Sequence, residues 1–209
     1  MNKPTLLLVS LFLLISCHCW GQDSRIIESI ANLNKSVATL TADFEETKVM
    51  PRLKKQTTRK GTLSFKSQRE SLLMDYSEPE GDYTLIKDGV MFVRKGDKQQ
   101  KFAQQNKESK MNILKHSLLN ALNGKVEAIA QDNNAIIETK EQGKNYLLTL
   151  TRQTDQKQGI HQLVLIYDKK TGALQELKIV EGNGNYTTYQ TTNAKLNDII
   201  SDDMFNIKK

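Results

Sequence analysis

Cysteine and histidine are nearly absent from this chain of 209 residues. The two cysteines, Cys17 and Cys19, both lie in the first twenty residues, which excludes a disulfide scaffold, a zinc ribbon and a thiol enzyme. Of the three histidines (His18, His116 and His161), neither of the last two has a Cys or His neighbour at ligand spacing. We therefore expect no metal site and no cofactor.

Groups that could carry out catalysis are also missing. The tightest carboxylate pairs are Glu45-Glu46 and Asp202-Asp203, but adjacent residues on a strand point to opposite faces, so neither pair converges on one point. We interpret both pairs as solvated charge. The Gly-Asn-Gly sequence at 182–184 predicts a hairpin turn, because no helix follows that could bind a phosphate. No serine lies in a nucleophile-elbow context, and the sequence indicates a protein that is not an enzyme.

Only one long apolar run is present, at residues 5–15 behind Lys3. It is too short to span a bilayer, and polar sequence follows it, which is typical of a signal peptide for export. Cleavage after Gly21 removes residues 1–21 and leaves a soluble protein, residues 22–209, that forms one domain. Alternatively, Leu14-Ile15-Ser16-Cys17 resembles a bacterial lipobox, in which Cys17 is lipidated and anchors the protein to an envelope membrane.

The chain is basic, with 30 Lys and Arg against 24 Asp and Glu. Eight cations lie between residues 48 and 69, and no acid occurs from Thr47 to Gln68. This stretch either docks on anionic headgroups or an acidic partner, or forms a solvated strand face with an exposed loop. We expect no nucleic-acid partner for an exported chain. The eight cations are Lys48, Arg52, Lys54, Lys55, Arg59, Lys60, Lys66 and Arg69.

Two segments have the spacing of helices. Residues 23–34 place Ile26, Ile30 and Leu33 on one face, and the alternation that follows indicates a switch to a strand near residues 35–36. Residues 107–122 repeat apolar side chains at helical spacing, with Ser109 as the expected cap and Gly124 at the expected stop.

The rest of the chain alternates apolar and polar residues between turns. Asp88-Gly89 and Asn183-Gly184 are strong hairpin signals, and similar alternation runs through residues 146–150, 163–167 and 174–180. These patterns predict a mainly β protein with helices (α+β), built as a curled antiparallel sheet of eight or more strands. One face of that sheet is apolar, and it can be either a sealed core or a ligand cavity.

Four stretches, in order along the chain, resemble one known family. They are residues 40–46 (Leu-Thr-Ala-Asp-Phe-Glu-Glu), residues 60–66 (Lys-Gly-Thr-Leu-Ser-Phe-Lys), residues 76–89 with their Pro-containing turn and final Asp-Gly, and residues 186–205 with a closing strand and a final Phe. Together they are similar to the periplasmic outer-membrane lipoprotein carrier family (LolA-type), over residues 24–209.

The resemblance implies an incomplete, strongly curved antiparallel β-barrel, with helices lidding its concave face, that holds lipoprotein acyl chains in the periplasm. It implies a monomer that takes cargo from an inner-membrane lipoprotein-releasing complex and delivers it to an outer-membrane acceptor. Carried over by position, the residues of the acyl-chain cavity are Phe44, Leu63, Phe65, Leu72, Met74, Tyr76 and Phe92. The lid contacts are Met111, Leu114 and Leu118.

This chain departs from the family at one point. The Arg-Pro that follows the lysine of the Gly-x-Leu strand, and that helps to latch the lid, is replaced here by Ser67-Gln68-Arg69 behind Lys66. Arg69 is the candidate substitute for the latch.

Three other functions stay open: an anchored lipoprotein acceptor with a lipidated Cys17, a carrier of another lipidic cargo, and an envelope-stress lipid sensor.

Overall fold

The computed structural model of the protein describes residues 20–103, 109–154 and 159–206, with side chains from residue 24. Cys17, the predicted lipidation site, lies outside the described residues, as does the predicted signal peptide apart from Trp20 and Gly21. No helix of the described chain is both long and apolar enough to cross a bilayer.

Eleven antiparallel strands form one sheet that does not close into a barrel, in the order β6-β5-β4-β3-β2-β1-β11-β10-β9-β8-β7. The prediction of a mainly β, incomplete antiparallel barrel with helices is confirmed. The strands are β1 (Thr39–Met50), β2 (Lys55–Lys66), β3 (Ser71–Glu78), β4 (Glu80–Lys87), β5 (Val90–Lys95), β6 (Lys98–Phe102), β7 (Ala135–Gln142), β8 (Asn145–Arg152), β9 (Ile160–Asp168), β10 (Leu174–Glu181) and β11 (Tyr186–Leu196).

The order of the strands dictates where the helices lie. The first and last strands, β1 and β11, pair at the centre of the sheet, whereas β6 and β7 form its two opposite edges. Because β6 and β7 are consecutive in sequence, the chain between them must cross from one edge to the other over one face. This connection carries helix α2 (Lys110–Leu122) and helix α3 (Val126–Asn133). Helix α1 (Trp20–Asn34) packs beside them, in contact with α3 and β7.

The two predicted helices are observed with small differences at their ends. Helix α1 ends at Asn34, and β1 begins at Thr39, so the predicted switch near residues 35–36 is confirmed. In α2, the Ser109 side chain caps the helix by accepting a hydrogen bond from the Asn112 backbone N–H. Gly124 follows the helix in a left-handed conformation (φ +66°), as expected for a stop residue.

Three elements, α3, β6 and β7, were not predicted. Helix α3 has only eight residues, which is too short for a clear helical period. Strand β6 (Lys-Gln-Gln-Lys-Phe) is almost entirely polar, and β7 exposes Ile136 beside half-buried Ile137, so neither strand shows a clean alternation. As edge strands they bury less than central strands do, and their sequences carry a weaker pattern.

Strands β2 and β3 approach each other closely at Gly61. The pairing shifts register there, from Lys60 opposite Glu78 to Gly61 opposite Tyr76, as in a β-bulge. A methyl group on Gly61 would lie 2.0 Å from the backbone oxygen of Asp75. Only glycine therefore permits this pairing without movement of the backbone.

We expect Gly61→Ala to lower the free energy of unfolding by about 3 kcal/mol or more, because the backbone must move to accept the methyl group. Gly143→Ala is the control. Gly143 is left-handed (φ +57°) with no atom within 4 Å of the added methyl group. The Gly143→Ala variant should therefore lose only about 1 kcal/mol of its free energy of unfolding. Urea denaturation of both variants measures the difference, and equal losses would contradict the close approach.

Candidate functional site

The face of the sheet covered by the helices carries one continuous apolar cluster, which we call the inner cluster. Six of the seven predicted cavity residues belong to it, and none of the six is more than 4% exposed. Helix α2 adds the predicted lid residues, of which Leu118 is buried, while Met111 and Leu114 are partly buried. The six cavity residues are Phe44, Leu63, Phe65, Leu72, Met74 and Tyr76.

Phe92, the seventh predicted cavity residue, lies on the opposite face, and its assignment is corrected here. It pairs across the β4–β5 hairpin with Leu85, whereas its neighbour Met91 points into the inner cluster. Phe92 packs against a second, smaller cluster on the outer face. A 3-10 turn, Asp202–Phe205, covers that cluster by burying Phe205 there.

Helix α2 is tied to the sheet by polar contacts at both ends and near its middle. At its N-terminus, the Lys110 ammonium pairs with Glu181 at the end of β10. In its middle, Lys115 Nζ donates to the Gly89 carbonyl in the β4–β5 turn (2.7 Å). Near its C-terminus, the Tyr167 hydroxyl of β9 donates to the Ala121 carbonyl (2.8 Å). These three polar contacts lie along the helix beside its apolar contacts with the sheet.

A cleft of about 520 Å³ borders the inner cluster near the start of α2. Its apolar lining comes from Met91 of β5, Phe102 of β6, Ala103 and Met111 of α2, and three lysines, Lys101, Lys110 and Lys115, also line it. Met111 is one of the predicted lid residues. The cleft therefore leads from solvent to the contact between the lid helix and the sheet.

A cluster of charged and aromatic side chains closes the inner face toward the β1–β2 hairpin. The Arg59 guanidinium lies 2.8 Å from Asp82 Oδ2, 3.4 Å from Glu46 Oε2 and 3.5 Å from the ring centre of Tyr76. The Tyr76 hydroxyl donates to Glu46, and its ring packs edge-on against Phe44. Burial, reinforced by the Glu46 carboxylate, raises the pKa of Tyr76, so the phenol stays protonated as a donor.

The expectation that Glu45-Glu46 is solvated charge is wrong for Glu46. Alternation places Glu46 on the same face as Phe44, and the hairpin register sets it opposite Arg59. The Glu46 side chain is 12% exposed, whereas that of Glu45, on the other face, is 41% exposed. The missed signal was the opposite charge directly across the strand.

The profile of the family described as outer membrane lipoprotein carrier protein LolA matches residues 35–208, which is most of the chain. The protein belongs to this family. The family takes its description from a lipoprotein carrier, and this chain has a fold that sets an apolar face beneath a helical cover. No curated protein sequence matches the chain.

Several solved structures are similar to this LolA-family chain at low identity. A domain from Vibrio parahaemolyticus assigned to outer membrane lipoprotein sorting is 12% identical, with a TM-score of 0.49 over 89% of this chain and 97% of that one. A LolA superfamily protein from Nitrosomonas europaea is 9% identical (TM-score 0.42; 88% and 97%). The Mycobacterium tuberculosis lipoprotein LppX is 10% identical (TM-score 0.39; 86% and 98%).

The turn between β2 and β3 is where this chain lacks the Arg-Pro expected of a LolA-type sequence. Arg69 pairs with Asp202 (2.8 Å) instead of with the lid, which departs from its predicted role as a latch. Ser67, directly behind Lys66, donates to Asn123 Oδ1 (2.6 Å) at the end of α2. A hydrogen bond from Lys66 also lowers the pKa of Asp202, which is therefore ion-paired instead of simply solvated.

Among residues 20–103, 109–154 and 159–206, no group of three His, Cys, Asp or Glu side chains could hold a metal ion. The charged groups that do converge, Glu46, Arg59 and Asp82, place one guanidinium between two carboxylates, and they are also bonded to neighbouring groups. Asp82 Oδ1 also accepts a hydrogen bond from the Gly96 backbone N–H (2.6 Å). This arrangement fixes strands β1 to β5 at one end of the inner face.

We expect Arg59→Met to lower the free energy of unfolding by about 3 kcal/mol, because it leaves two largely buried carboxylates without their cation. Lys60→Met is the matched control on the next residue. Lys60 faces outward and lies 3.9 Å from the exposed Glu45, so its loss should change stability by less than about 1 kcal/mol. Urea denaturation distinguishes the two, and a small effect at Arg59 would contradict the assigned pairing.

Lys115 makes the lid helix less stable in its packed position than an apolar side chain would. The residue is 3% exposed, its ammonium donates to the neutral Gly89 carbonyl, and burial lowers the pKa of that ammonium. Nearby on the same helix, the buried Ser117 hydroxyl has no hydrogen-bond partner among the described residues. Helix α2 thus carries two buried polar groups.

We expect Lys115→Met to raise the free energy of unfolding at neutral pH by about 1 kcal/mol, since it removes a buried charge. Because the folded-state pKa of Lys115 lies below the ordinary 10.5, the charged ammonium lowers the free energy of unfolding of the wild type. This loss of stability becomes smaller as pH rises through the folded-state pKa. The difference in the free energy of unfolding between the variant and the wild type should therefore become smaller at alkaline pH. Lys125→Met, at an ion pair in which both side chains are more than half exposed, is the control. A difference in the free energy of unfolding that widens with pH would contradict the argument.

Proposed function

We propose that this protein is a periplasmic carrier that shields the acyl chains of lipoproteins during their transfer from the inner to the outer membrane. The observation that carries the proposal is the inner cluster: a continuous apolar face, covered by helices, in a chain of the LolA family. The residues proposed to contact the acyl chains are Phe44, Leu63, Phe65, Leu72, Met74 and Tyr76 from the sheet, with Met111, Leu114 and Leu118 from the lid.

The energetics of the cargo support enclosure. Exposing a chain of about 16 carbons to water costs roughly 12 kcal/mol, at about 0.8 kcal/mol for each methylene. Surface lysines that attract a headgroup contribute only about 1 kcal/mol each. A carrier must therefore cover the acyl chains with apolar side chains, and surface charge alone cannot retain them.

Cargo can enter only if the lid moves, because the sheet residues of the inner cluster are almost fully buried beneath the helices. The polar contacts of α2 permit such a movement, and the apolar side chains that the helix buries are the contacts that acyl chains would replace. The polar contacts are separate from one another, at Lys110, Lys115 and Ala121, with Ser67 bonded just beyond the end of the helix. Each can exchange for water when the helix lifts, and the cleft beside Met111 is the proposed entry point.

We place the mature protein at residues 22–209, following a cleaved signal peptide at 1–21, and propose that it acts as a monomer without catalysis. Its proposed partners are an inner-membrane lipoprotein-releasing complex and an outer-membrane acceptor. The competing role, an anchored acceptor of the same fold, needs a lipidated Cys17. The intact mass of the protein from its native envelope separates the two: a chain starting at Gln22 supports the carrier, and an acylated chain starting at Cys17 supports the acceptor.

We expect Leu114→Glu to weaken binding of a fluorescent triacylated lipopeptide at least tenfold, because the carboxylate must be desolvated against the acyl chains. Leu114 is partly buried at the edge of the inner cluster, so the variant should still fold, which urea denaturation verifies. The control is Ile199→Glu, which makes the same kind of change at a fully exposed side chain. Unchanged lipopeptide binding by folded Leu114→Glu would overturn the proposed lid contact.

A further inference from the structure

The hairpin formed by β1 and β2 projects beyond β3, whereas on its other side β11 pairs with β1 as far as Val49. The last pair between β2 and β3 is Lys60 with Glu78, so the first five residues of β2, from Lys55 to Arg59, have no partner on that side. At about 3.4 Å for each residue, this part of the hairpin extends about 17 Å past the end of β3. Its tip is a single 3-10 turn, Pro51–Leu53, followed by Lys54 in a left-handed conformation (φ 47°).

The tip presents an isolated apolar side chain to solvent. Leu53 is 71% exposed, and no residue of the 3-10 turn is buried. The turn is held in shape by Pro51 and by a hydrogen bond from the Lys54 backbone N–H to the Pro51 carbonyl (3.0 Å). The backbone of the turn thus holds Leu53 in an exposed position, where its side chain contributes little to the packing of the hairpin.

The same tip carries positive charge that the rest of the described chain does not neutralise. Arg52, Lys54 and Lys55 are exposed, and among the described residues none of them has an ion-pair partner. By contrast, Arg59 and Lys60, further down the hairpin, pair with carboxylates. The charge is therefore concentrated at the end that projects furthest, around Leu53.

We propose that the tip of the β1–β2 hairpin docks the protein on an anionic phospholipid surface, with Arg52, Lys54 and Lys55 at the headgroups and Leu53 inserted between them. Charge complementarity identifies the occupant: the tip is cationic, and no acid occurs from Thr47 to Gln68. At a membrane surface, the cations can contact the anionic headgroups while the leucine between them reaches the hydrocarbon beneath. It does not match a protein partner, because a stable protein interface needs roughly 800 Å² from each side.

This inference goes beyond the proposed acyl-chain function, because it rests on the hairpin and not on the inner cluster. It assigns the basic stretch of the sequence to a membrane contact and separates it from the cargo-binding face. The two can fail independently: Leu114→Glu should still bind vesicles, and the hairpin variants should still bind the lipopeptide.

The test is co-sedimentation of the purified protein with phosphatidylcholine vesicles that contain about one third phosphatidylglycerol. We expect the Lys54→Gln/Lys55→Gln variant to bind roughly 30-fold more weakly than the wild type, about fivefold for each cation. Leu53→Ser should bind about tenfold more weakly. The controls match each change elsewhere on the surface: Lys140→Gln/Lys144→Gln removes two exposed lysines, and Ile136→Ser removes an exposed aliphatic side chain.

Two further measurements identify the contact. Binding should be lost in about 1 M salt, where charges are screened within about 3 Å, and should be much weaker on pure phosphatidylcholine. In Leu53→Trp, brominated lipids should quench the fluorescence of the new tryptophan, which demonstrates insertion.

The inference is overturned if hairpin and control variants bind alike, if phosphatidylglycerol has no effect, or if the new tryptophan is not quenched. Because all variants share the same N-terminal segment, an anchor there cannot produce the differences.

Discussion

The structure depends on a single crossing of the chain. Strands β6 and β7 lie at opposite edges of the sheet, and the segment that joins them has to pass over one face. Since that face carries the continuous apolar cluster, the crossing segment can be stable only if it buries apolar side chains against it. Helices α2 and α3 do so, and the geometry that produces a covered core is also the geometry that can produce a lid. A cover attached at two edges can lift without breaking any strand pairing.

The polar groups at the inner face divide into two kinds with opposite consequences. Arg59, Glu46 and Asp82 lie on neighbouring strands, satisfy one another and strengthen the sheet at the hairpin end. Lys115 and Ser117 lie on the lid, where a buried ammonium has a neutral partner and a buried hydroxyl has none among the described residues. The sheet therefore holds its polar groups in mutual contacts, and the polar groups with poorer partners are concentrated in the helix that we propose as the lid.

Local signals in the sequence predicted much of the fold. The Ser109 cap, the Gly124 stop and the Asp88-Gly89 turn are decided by backbone chemistry within a few residues, and each is observed where it was expected. The face of a strand is harder to predict when both faces are apolar. Residues 90–93 (Val-Met-Phe-Val) fit either orientation, and only the pairing of Phe92 with Leu85 places the ring on the outer face. Partners that depend on tertiary contacts, such as Asp82 for Arg59 and Asn123 for Ser67, leave no pattern in the sequence.

The pairing of β1 with β11 also determines when the protein can finish folding. Leu40 pairs with Leu196, so the two central strands of the sheet come from nearly opposite ends of the chain. Contacts between such distant residues form slowly, because a long loop must close before they contribute any stability. Until the last strand arrives, β1 is an unpaired edge with an apolar face. A chain of this topology thus completes its sheet only after its C-terminal strand is available, and during that interval its unpaired apolar edge is open to aggregation.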